Sequence, residues 1–238
     1  MMNQKGDFGV ETPQKFAERN ALPIKDILLL NRALTHRSFL NENPEALEDN
    51  ERLEFLGDAV LDYIVGAWLY HHFPEMAEGD LTRLRAALVK TDQLAHFGNQ
   101  IGIGRALRLG RGEEENGGRN RRAMLCGAFE ALIGALCLDA GMEAVDAFVS
   151  PFLNTAVVEI LTDQRDKDPK SLLQEIVQAG GKPAPNYKVV AEDGPDHAKI
   201  FEVEVYANGD LLGHGVGSSK HEASMDAAQK ALDNLEYL

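Results

Sequence analysis

Apolar residues recur at helical spacing over the first two thirds of this chain. The clearest stretch is NERLEFLGDAVLDYIVGAWLY at 50–70, where apolar side chains cover most of a helix's circumference. A second stretch, AMLCGAFEALIGALCLDAG at 123–141, is apolar nearly all round. Such helices are buried on several sides, because only a core can cover so much apolar surface. The pattern predicts an all-α domain over residues 16–161, preceded by a disordered tail over 1–15.

The periodicity changes after a polar, charged segment, TDQRDKD at 162–168, which we interpret as a linker. Pro169 is typical of the first position of a helix, and helical spacing resumes there. Alternating apolar and polar residues then predict three strands, with a turn at Asn208-Gly209 between the second and third. Helical spacing returns at the end of the chain. Residues 169–238 are therefore predicted to form a small α+β domain of α-β-β-β-α order.

Composition sets the broad class of the protein. A chain of 238 residues with 44% hydrophobic residues has room for one large or two modest domains. The N-terminal stretch is mostly polar, and no apolar segment is expected to approach a membrane span, so we expect a cytoplasmic protein without a membrane partner. Cys126 and Cys137 lie about three helical turns apart, too far for a disulfide, and are expected to be small buried hydrophobes.

The formal net charge of −14 argues against a nucleic-acid partner, because phosphate binding usually shows as a basic patch. It does not exclude such a partner, since a total charge does not say where Lys and Arg cluster. One basic cluster, formed by Arg119, Arg121 and Arg122, follows an acidic cluster in a glycine-rich segment. These arginines are candidates for contacts with an RNA backbone.

Acidic residues form a stripe on the first apolar helix. Glu51, Glu54, Asp58 and Asp62 follow at offsets of three, four and four, which places them within one narrow arc. Two interpretations stay open: a surface helix whose acids face water near its positive end, or a site for a hard divalent cation such as Mg²⁺. Glu130 stands alone in the second apolar helix, where a carboxylate is costly to bury unless it is paired or bound to metal. It is therefore a candidate ligand opposite the stripe.

The string NERLEFLGDAVL at 50–61 resembles the signature of the ribonuclease III family, endonucleases that cut double-stranded RNA, and LTHRSF at 34–39 also matches that family. The resemblance implies a homodimeric, Mg²⁺-dependent enzyme, with Mn²⁺ as a possible substitute and no small-molecule cofactor. For His36, inside the second string, a functional role stays open beside that of a packed, hydrogen-bonded histidine. The residues implied are Glu51, Glu54, Asp58 and Glu130 for catalysis, the last three of these for metal binding, Glu78 for support of the metal centre, and Phe55 for insertion into the partner subunit.

The chain departs from the family pattern at Gly127, where the family has a fourth acidic ligand, an aspartate. Mg²⁺ accepts additional water in its shell, so three carboxylates can still hold it, less tightly. Weakened catalysis, a preference for Mn²⁺ and loss of cleavage are all open. Asp62 and Glu113 are possible substitute ligands, although solvated side chains are the simpler interpretation of both.

The C-terminal α-β-β-β-α order, with GPDHAKIF between the first two strands and GSSKHEASMDAA entering the last helix, resembles the double-stranded RNA-binding domain. Such domains contact two minor grooves and the phosphates between them. The resemblance places Gln174 and Glu175 at one minor groove, His197 at the next, and Lys220 at the intervening phosphates. The family usually has a second basic residue after the lysine. Here it is His221, which implies weaker and more pH-sensitive phosphate binding.

The expected function is therefore endonucleolytic hydrolysis of double-stranded RNA, including ribosomal RNA precursors. The expected products carry 5′-phosphate and 3′-hydroxyl ends with short 3′ overhangs. The alternative is a double-stranded RNA-binding protein of the same fold that has lost cleavage because of Gly127. A purely structural helical protein is disfavoured by the second domain.

Overall fold

The computed structural model describes residues 10–46, 48–162, 168–195 and 199–236, with the side chains of 235 and 236 left aside. The chain forms two compact units, residues 1–163 and 164–238. Each unit is described by itself.

Unit 1 is helical throughout the part that the structure describes. α8 is its central helix, and it packs against α2, α4, α6 and α9. Eleven residues of α8 are buried, which is why its sequence is apolar on every side. The helices are α1 (Pro13–Arg19), α2 (Ile27–Ala33), α3 (Arg37–Leu40), α4 (Glu51–His72), α5 (Glu78–Val89), α6 (Thr91–Gln100), α7 (Arg111–Glu115), α8 (Arg122–Ala140) and α9 (Met142–Thr162), with short 3-10 turns at Ile103–Arg105 and Gly118–Asn120.

Two glycines allow α4 and α8 to touch backbone to backbone. A methyl group at Gly57 of α4 would lie 1.7 Å from the carbonyl oxygen of Glu130 in α8. A methyl group at Gly134 of α8 would lie 2.3 Å from the carbonyl oxygen of Leu53 in α4. Neither distance is possible for a real side chain, so both positions require glycine at this separation. The crossing brings the acidic part of α4 next to Glu130.

The start of α1 differs from the sequence prediction. α1 begins at Pro13, inside the predicted disordered tail, because Thr12 caps it by accepting from the Lys15 N–H and proline suits the first helical position. Glu11 is also ordered, since its carboxylate is bound by Arg19.

The expectation that no segment approaches a membrane span is wrong by length and composition. Two helices, α8 and α9, are long and apolar enough to cross a bilayer. In the structure most of α8 is buried inside unit 1, as expected for the core helix of a globular domain. The apolar character of α8 is therefore explained by the core.

Unit 2 is a three-stranded antiparallel sheet of order β1-β2-β3 with two helices packed on one face. The turn predicted at Asn208-Gly209 is confirmed, with positive φ angles of 52° and 91°. Gly213 and Gly215 of β3 lie against the backbone of the last helix, where a methyl group would meet main-chain atoms within 2.4 Å. The elements are α10 (Pro169–Ala179), β1 (Asn186–Asp193), β2 (Ile200–Ala207), β3 (Asp210–Gly217) and α11 (Lys220–Glu236). The predicted fold class is confirmed.

The helix crossing can be tested with two glycines of the same helix. Gly57→Ala should lower the free energy of unfolding of unit 1 by about 3 kcal/mol or more, because α4 and α8 must separate to admit the methyl group. Gly66→Ala should leave it unchanged or raise it by up to about 1 kcal/mol, because the nearest atom to a methyl group there is 3.9 Å away and alanine favours helix. Urea unfolding followed by circular dichroism measures both, and similar effects of the two variants would contradict the crossing.

Candidate active site

The α4–α8 crossing forms one wall of an open cleft of about 610 Å³. Four acids predicted from the sequence lie along it: Glu51, Glu54 and Asp58 from α4, and Glu130 from α8. Glu54 and Asp58 are one helical turn apart, so both face the partner helix. The structure thus brings together side chains that are about 70 residues apart in the chain. Gly127 lies in the same wall.

Two of the acids in the cleft, Glu54 and Glu130, have raised pKa values. Burial, and then the charges of Glu51, Asp49 and Asp58, raise the pKa of Glu54. Burial, and then the charge of Glu54, raise the pKa of Glu130 to about 7. Both shifts mean that the protein disfavours the ionised carboxylates as they stand. A cation between them would reverse this, because it favours the charged form.

The donor set fits a hard divalent cation in its chemistry. Carboxylate oxygens from Glu54, Asp58 and Glu130 are the ligands that Mg²⁺ and Mn²⁺ prefer. Their spacing is open, however: within the described residues, no three His, Cys, Asp or Glu side chains lie close enough together to hold an ion as placed. Mutual repulsion of carboxylates is the physical reason that we assign to this open arrangement. The predicted trio shares a cleft without forming a closed ligand shell.

Gly127 determines where the Glu54 carboxylate lies. Gly127 is buried, and a methyl group at that position would lie 2.8 Å from Oε2 and 3.2 Å from Oε1 of Glu54. The carboxylate of Glu54 therefore lies in the space that a side chain at position 127 would occupy. Because it is the end of a flexible side chain, it can move aside for an aspartate.

Other predicted site residues lie elsewhere or have local partners. Glu78, at the start of α5, accepts a hydrogen bond from the Thr82 hydroxyl at 3.2 Å and is absent from the residues that line the cleft. Asp62 is exposed on α4 and does not line it either. Glu113 pairs with Arg121 at 2.8 Å. His36 does line the cleft, where its Nδ1 accepts from the Ser38 N–H and so caps α3.

The basic cluster is bound to the chain's own groups. Arg119 donates to the carbonyl oxygens of Gly104 and Leu107 and to the Glu114 carboxylate, so it holds the 103–120 segment together. Arg122 pairs with Asp92 at 2.9 Å, across to α6. These contacts give Arg119 a structural role. The Arg122–Asp92 pair is exposed, so a phosphate can displace Asp92 from Arg122.

Sequence reasoning missed one side-chain contact of Glu130. The Sγ of Cys126 donates to Oε1 of Glu130 at 3.6 Å, one helical turn along α8. Burial, and then the charge of Glu130, raise the pKa of this thiol to about 12, so it stays protonated and remains a donor. The i, i+4 spacing of Cys126 and Glu130 was the available signal.

Unit 2 presents most of its predicted RNA-contacting residues to solvent. Gln174 and Glu175 are exposed on α10, and Lys220 and His221 are exposed at the start of α11. Lys220 is paired with Glu192 of β1 at 2.8 Å. His197 lies outside the described residues.

Comparison with known proteins agrees with both units. A family model for Ribonuclease-III-like domains matches residues 26–157, and one for the double-stranded RNA binding motif matches residues 169–235. The chain is 43% identical to Ribonuclease 3 of Enterococcus faecalis, covering 92% of this chain and 95% of that protein. It is 46% identical to Ribonuclease 3 of Syntrophomonas wolfei, covering 93% and 95%. The nuclease domain of Ribonuclease III from Campylobacter jejuni superposes with a TM-score of 0.55 at 41% identity, covering 60% of this chain and 94% of that one.

An acidic cleft on a helical domain, followed by a double-stranded RNA-binding domain, defines an endoribonuclease as the class of protein. The chain belongs to the ribonuclease III family. The function class and the fold predicted from the sequence are thereby confirmed. The roles of individual site residues stay predictions.

The charge repulsion in the cleft predicts a pH-dependent effect of Glu130→Gln. The folded-state pKa of Glu130 is raised from 4.5 to about 7, so its stabilising contribution is full below pH 4.5 and is lost as the pH rises through 7. In EDTA at pH 8 the variant should therefore melt above the parent protein by roughly 2–4 °C, the shift that 1 kcal/mol gives in a chain of this size. The difference should shrink toward pH 5.

Glu143→Gln, an exposed acid of α9, is the matched control and should show no such trend. Adding Mg²⁺ or Mn²⁺ should raise the melting temperature of the parent protein more than that of Glu130→Gln. Parallel pH profiles for the parent protein and Glu130→Gln would contradict the proposed repulsion.

Proposed function

We propose that the cleft hydrolyses phosphodiester bonds of double-stranded RNA with Mg²⁺ held by Glu54, Asp58 and Glu130, and that Mn²⁺ can replace Mg²⁺. The observation that carries the proposal is that these three acids, from two helices in backbone contact, line one cleft, and that the cleft disfavours the charge of Glu54 and Glu130. A surface helix with solvated acids explains neither the raised pKa values nor the position of Glu130.

The protein's own groups have separable tasks in this mechanism. When bound, the cation supplies a Lewis acid for the scissile phosphate and lowers the pKa of water. Because the pKa values of Glu54 and Glu130 are raised, the ionised forms of these two carboxylates would be stabilised most by a bound positive charge. Cys126 donates to Oε1 of Glu130 and so orients that carboxylate. The products are 5′-phosphate and 3′-hydroxyl ends with short 3′ overhangs.

Glu51 and Glu78 have assisting roles in the proposal. Glu51 lies at the edge of the cleft and pairs with Arg37 at 3.3 Å, with both side chains more than half exposed. Such a pair opens at little cost, which suits a contact with RNA or a step of product release. Glu78 lies off the cleft lining in this chain, so its support of the metal centre rests on the family resemblance alone.

Gly127 is proposed to lower activity without abolishing it. It removes one oxygen ligand, and Glu54 turns into the space that it leaves. The retained acids favour an enzyme over the binding-only alternative, because Glu54 and Glu130 are half-buried carboxylates, which are costly without a cation to neutralise them. Aspartate at position 127 would push the Glu54 carboxylate toward the middle of the cleft and add the missing ligand.

We further propose a homodimer that works in the cytoplasm on RNA duplexes such as ribosomal RNA precursors. The related nuclease domain from Campylobacter jejuni has a region involved in dimer formation. In this chain Phe55 is 81% exposed on α4 beside the acidic cleft, an unusual position for a large aromatic side chain of a monomer. Burial of Phe55 against a second copy would place two clefts near each other, one for each strand of a duplex.

Cleavage should depend on the three acids and respond to position 127. Glu54→Gln, Asp58→Asn and Glu130→Gln should each slow cleavage of a long RNA duplex in Mg²⁺ by about 100-fold or more, because each removes a charge from the proposed cation site. Binding of the duplex in EDTA should be unchanged, and Glu143→Gln should retain full activity. Gel electrophoresis of the products measures the rates.

Gly127→Asp should speed cleavage in Mg²⁺, with a smaller gain in Mn²⁺, because it restores a hard oxygen ligand. Gly66→Ala serves as the control for an added side chain in unit 1. If the parent protein leaves the duplex intact in both metals and only Gly127→Asp cuts it, the binding-only alternative is the correct function.

The dimer can be tested at Phe55. Phe55→Ala should shift the chain from dimer toward monomer in light scattering after gel filtration and should reduce cleavage, because the variant loses a large apolar anchor. Leu28→Ala removes an equally exposed apolar side chain, 81% exposed on α2, and should leave the dimer intact. A parent protein that is monomeric at micromolar concentration would contradict the proposal.

A further inference from the structure

The family resemblance places Lys220 at the RNA phosphates. In unit 2 this lysine contacts the carboxylate of Glu192. The Glu192 carboxylate lies 2.8 Å from the Lys220 ammonium and 3.9 Å from that of Lys199. Glu192 is ionised at neutral pH, because the hydrogen bond from Lys220 lowers its pKa. The ammonium of Lys220 also lies over the ring of Phe201, 5.5 Å from its centre. The lysine is therefore held by two neighbours in the absence of RNA.

The register of the sheet produces this pair. Glu192 of β1 is opposite Phe201 of β2, and Phe201 is opposite Gly217 of β3. Lys220 begins α11 three residues after Gly217, and so lies at the same end of the sheet as Glu192. The contact is thus a product of the fold and not of neighbouring positions in the sequence.

We propose that Glu192 competes with RNA phosphates for Lys220 and so sets how tightly unit 2 binds a duplex. This inference rests on the proposed function, since it assumes that the RNA backbone reaches the start of α11. A phosphate that binds Lys220 must displace Glu192, and it then lies close to a carboxylate of its own sign. Both effects weaken the contact.

The exposure of the pair makes the competition reversible. The side chains of Lys220 and Glu192 are 61% and 37% exposed, so water screens their attraction and a phosphate with full charge can open the pair. Acidic residues also outnumber Lys and Arg in unit 2. Each Lys–phosphate contact therefore carries a large share of the electrostatic attraction, and a residue that weakens one contact has a measurable effect.

Removing the charge of Glu192 should strengthen RNA binding. With the full chain in EDTA, so that no RNA is cut, Glu192→Gln should bind a 25-base-pair RNA duplex roughly 3- to 10-fold more tightly at 0.1 M salt in a fluorescence anisotropy titration. The slope of log K against log salt should also become steeper by up to about one unit, because Lys220 then neutralises one phosphate in full.

Asp210→Asn is the matched control. It changes the net charge by the same amount and breaks an exposed lysine pair, Lys182–Asp210 at 4.0 Å. Asp210 is opposite Ala207, six residues along β2 from the partner of Glu192, which is about 20 Å away along the strand. Its effect on affinity should be less than 2-fold.

The variant Lys220→Gln separates a specific pair from a general charge effect. Adding Glu192→Gln to Lys220→Gln should give no further gain in affinity beyond that of Asp210→Asn. An equal gain with and without Lys220, or no gain for Glu192→Gln, would overturn the inference. A different result, no duplex binding by the parent protein or by any variant, would overturn the proposed RNA-binding role of unit 2 itself.

Discussion

The helical unit depends on the backbone contact between α4 and α8. Gly57 and Gly134 lie on opposite sides of this crossing, and each faces a carbonyl oxygen of the other helix. Helices usually pack 8–10 Å apart because side chains separate them. Without side chains at these two positions the axes come closer, and a carboxylate from α8 reaches the same cleft as three from α4. The positions that permit the site therefore carry no functional group.

This closeness has an electrostatic consequence. Burial and neighbouring charges raise the pKa values of Glu54 and Glu130, so the folded protein resists the ionised form of its own site. Hydrophobic packing elsewhere in α8, which is buried along most of its length, offsets that cost. A cation stabilises a site with this repulsion by more free energy than it would stabilise a site of widely separated acids. Under the proposed function, a bound cation offsets this repulsion, so the protein is expected to gain stability on binding it.

Much of this arrangement could be predicted from the sequence, for reasons that are particular to each residue. The offsets of Glu51, Glu54 and Asp58 fix one helix face, and an isolated Glu130 in an apolar helix signals a need for a partner. The start of α1 could also have been predicted, because Thr12 is a typical N-cap and Pro13 a typical first helical residue. The prediction of a disordered tail over residues 1–15 did not use this signal. Spacing along one helix says nothing of another, so the meeting of the two helices was expected from the cost of burying Glu130 alone and from the family resemblance.

Contacts between distant segments were beyond sequence reasoning. Arg119 looked like a candidate for RNA but is held by carbonyl groups whose positions depend on how the 103–120 segment folds. The Glu192–Lys220 pair depends on strand register in the same way.

These contacts also explain how a chain with a net charge of −14 can serve an RNA partner. Arg121, Arg122 and Lys220 are each paired with an acid at 2.8–2.9 Å, so these three side chains offer little free positive charge. Long-range attraction to RNA is then weak, and a single strand or an irregular RNA gains little from it. Under the proposed RNA contacts, a duplex displaces these acids from their basic partners and also offers its 2′-hydroxyl groups to α10. Paired basic residues thus favour recognition by shape over recognition by charge alone.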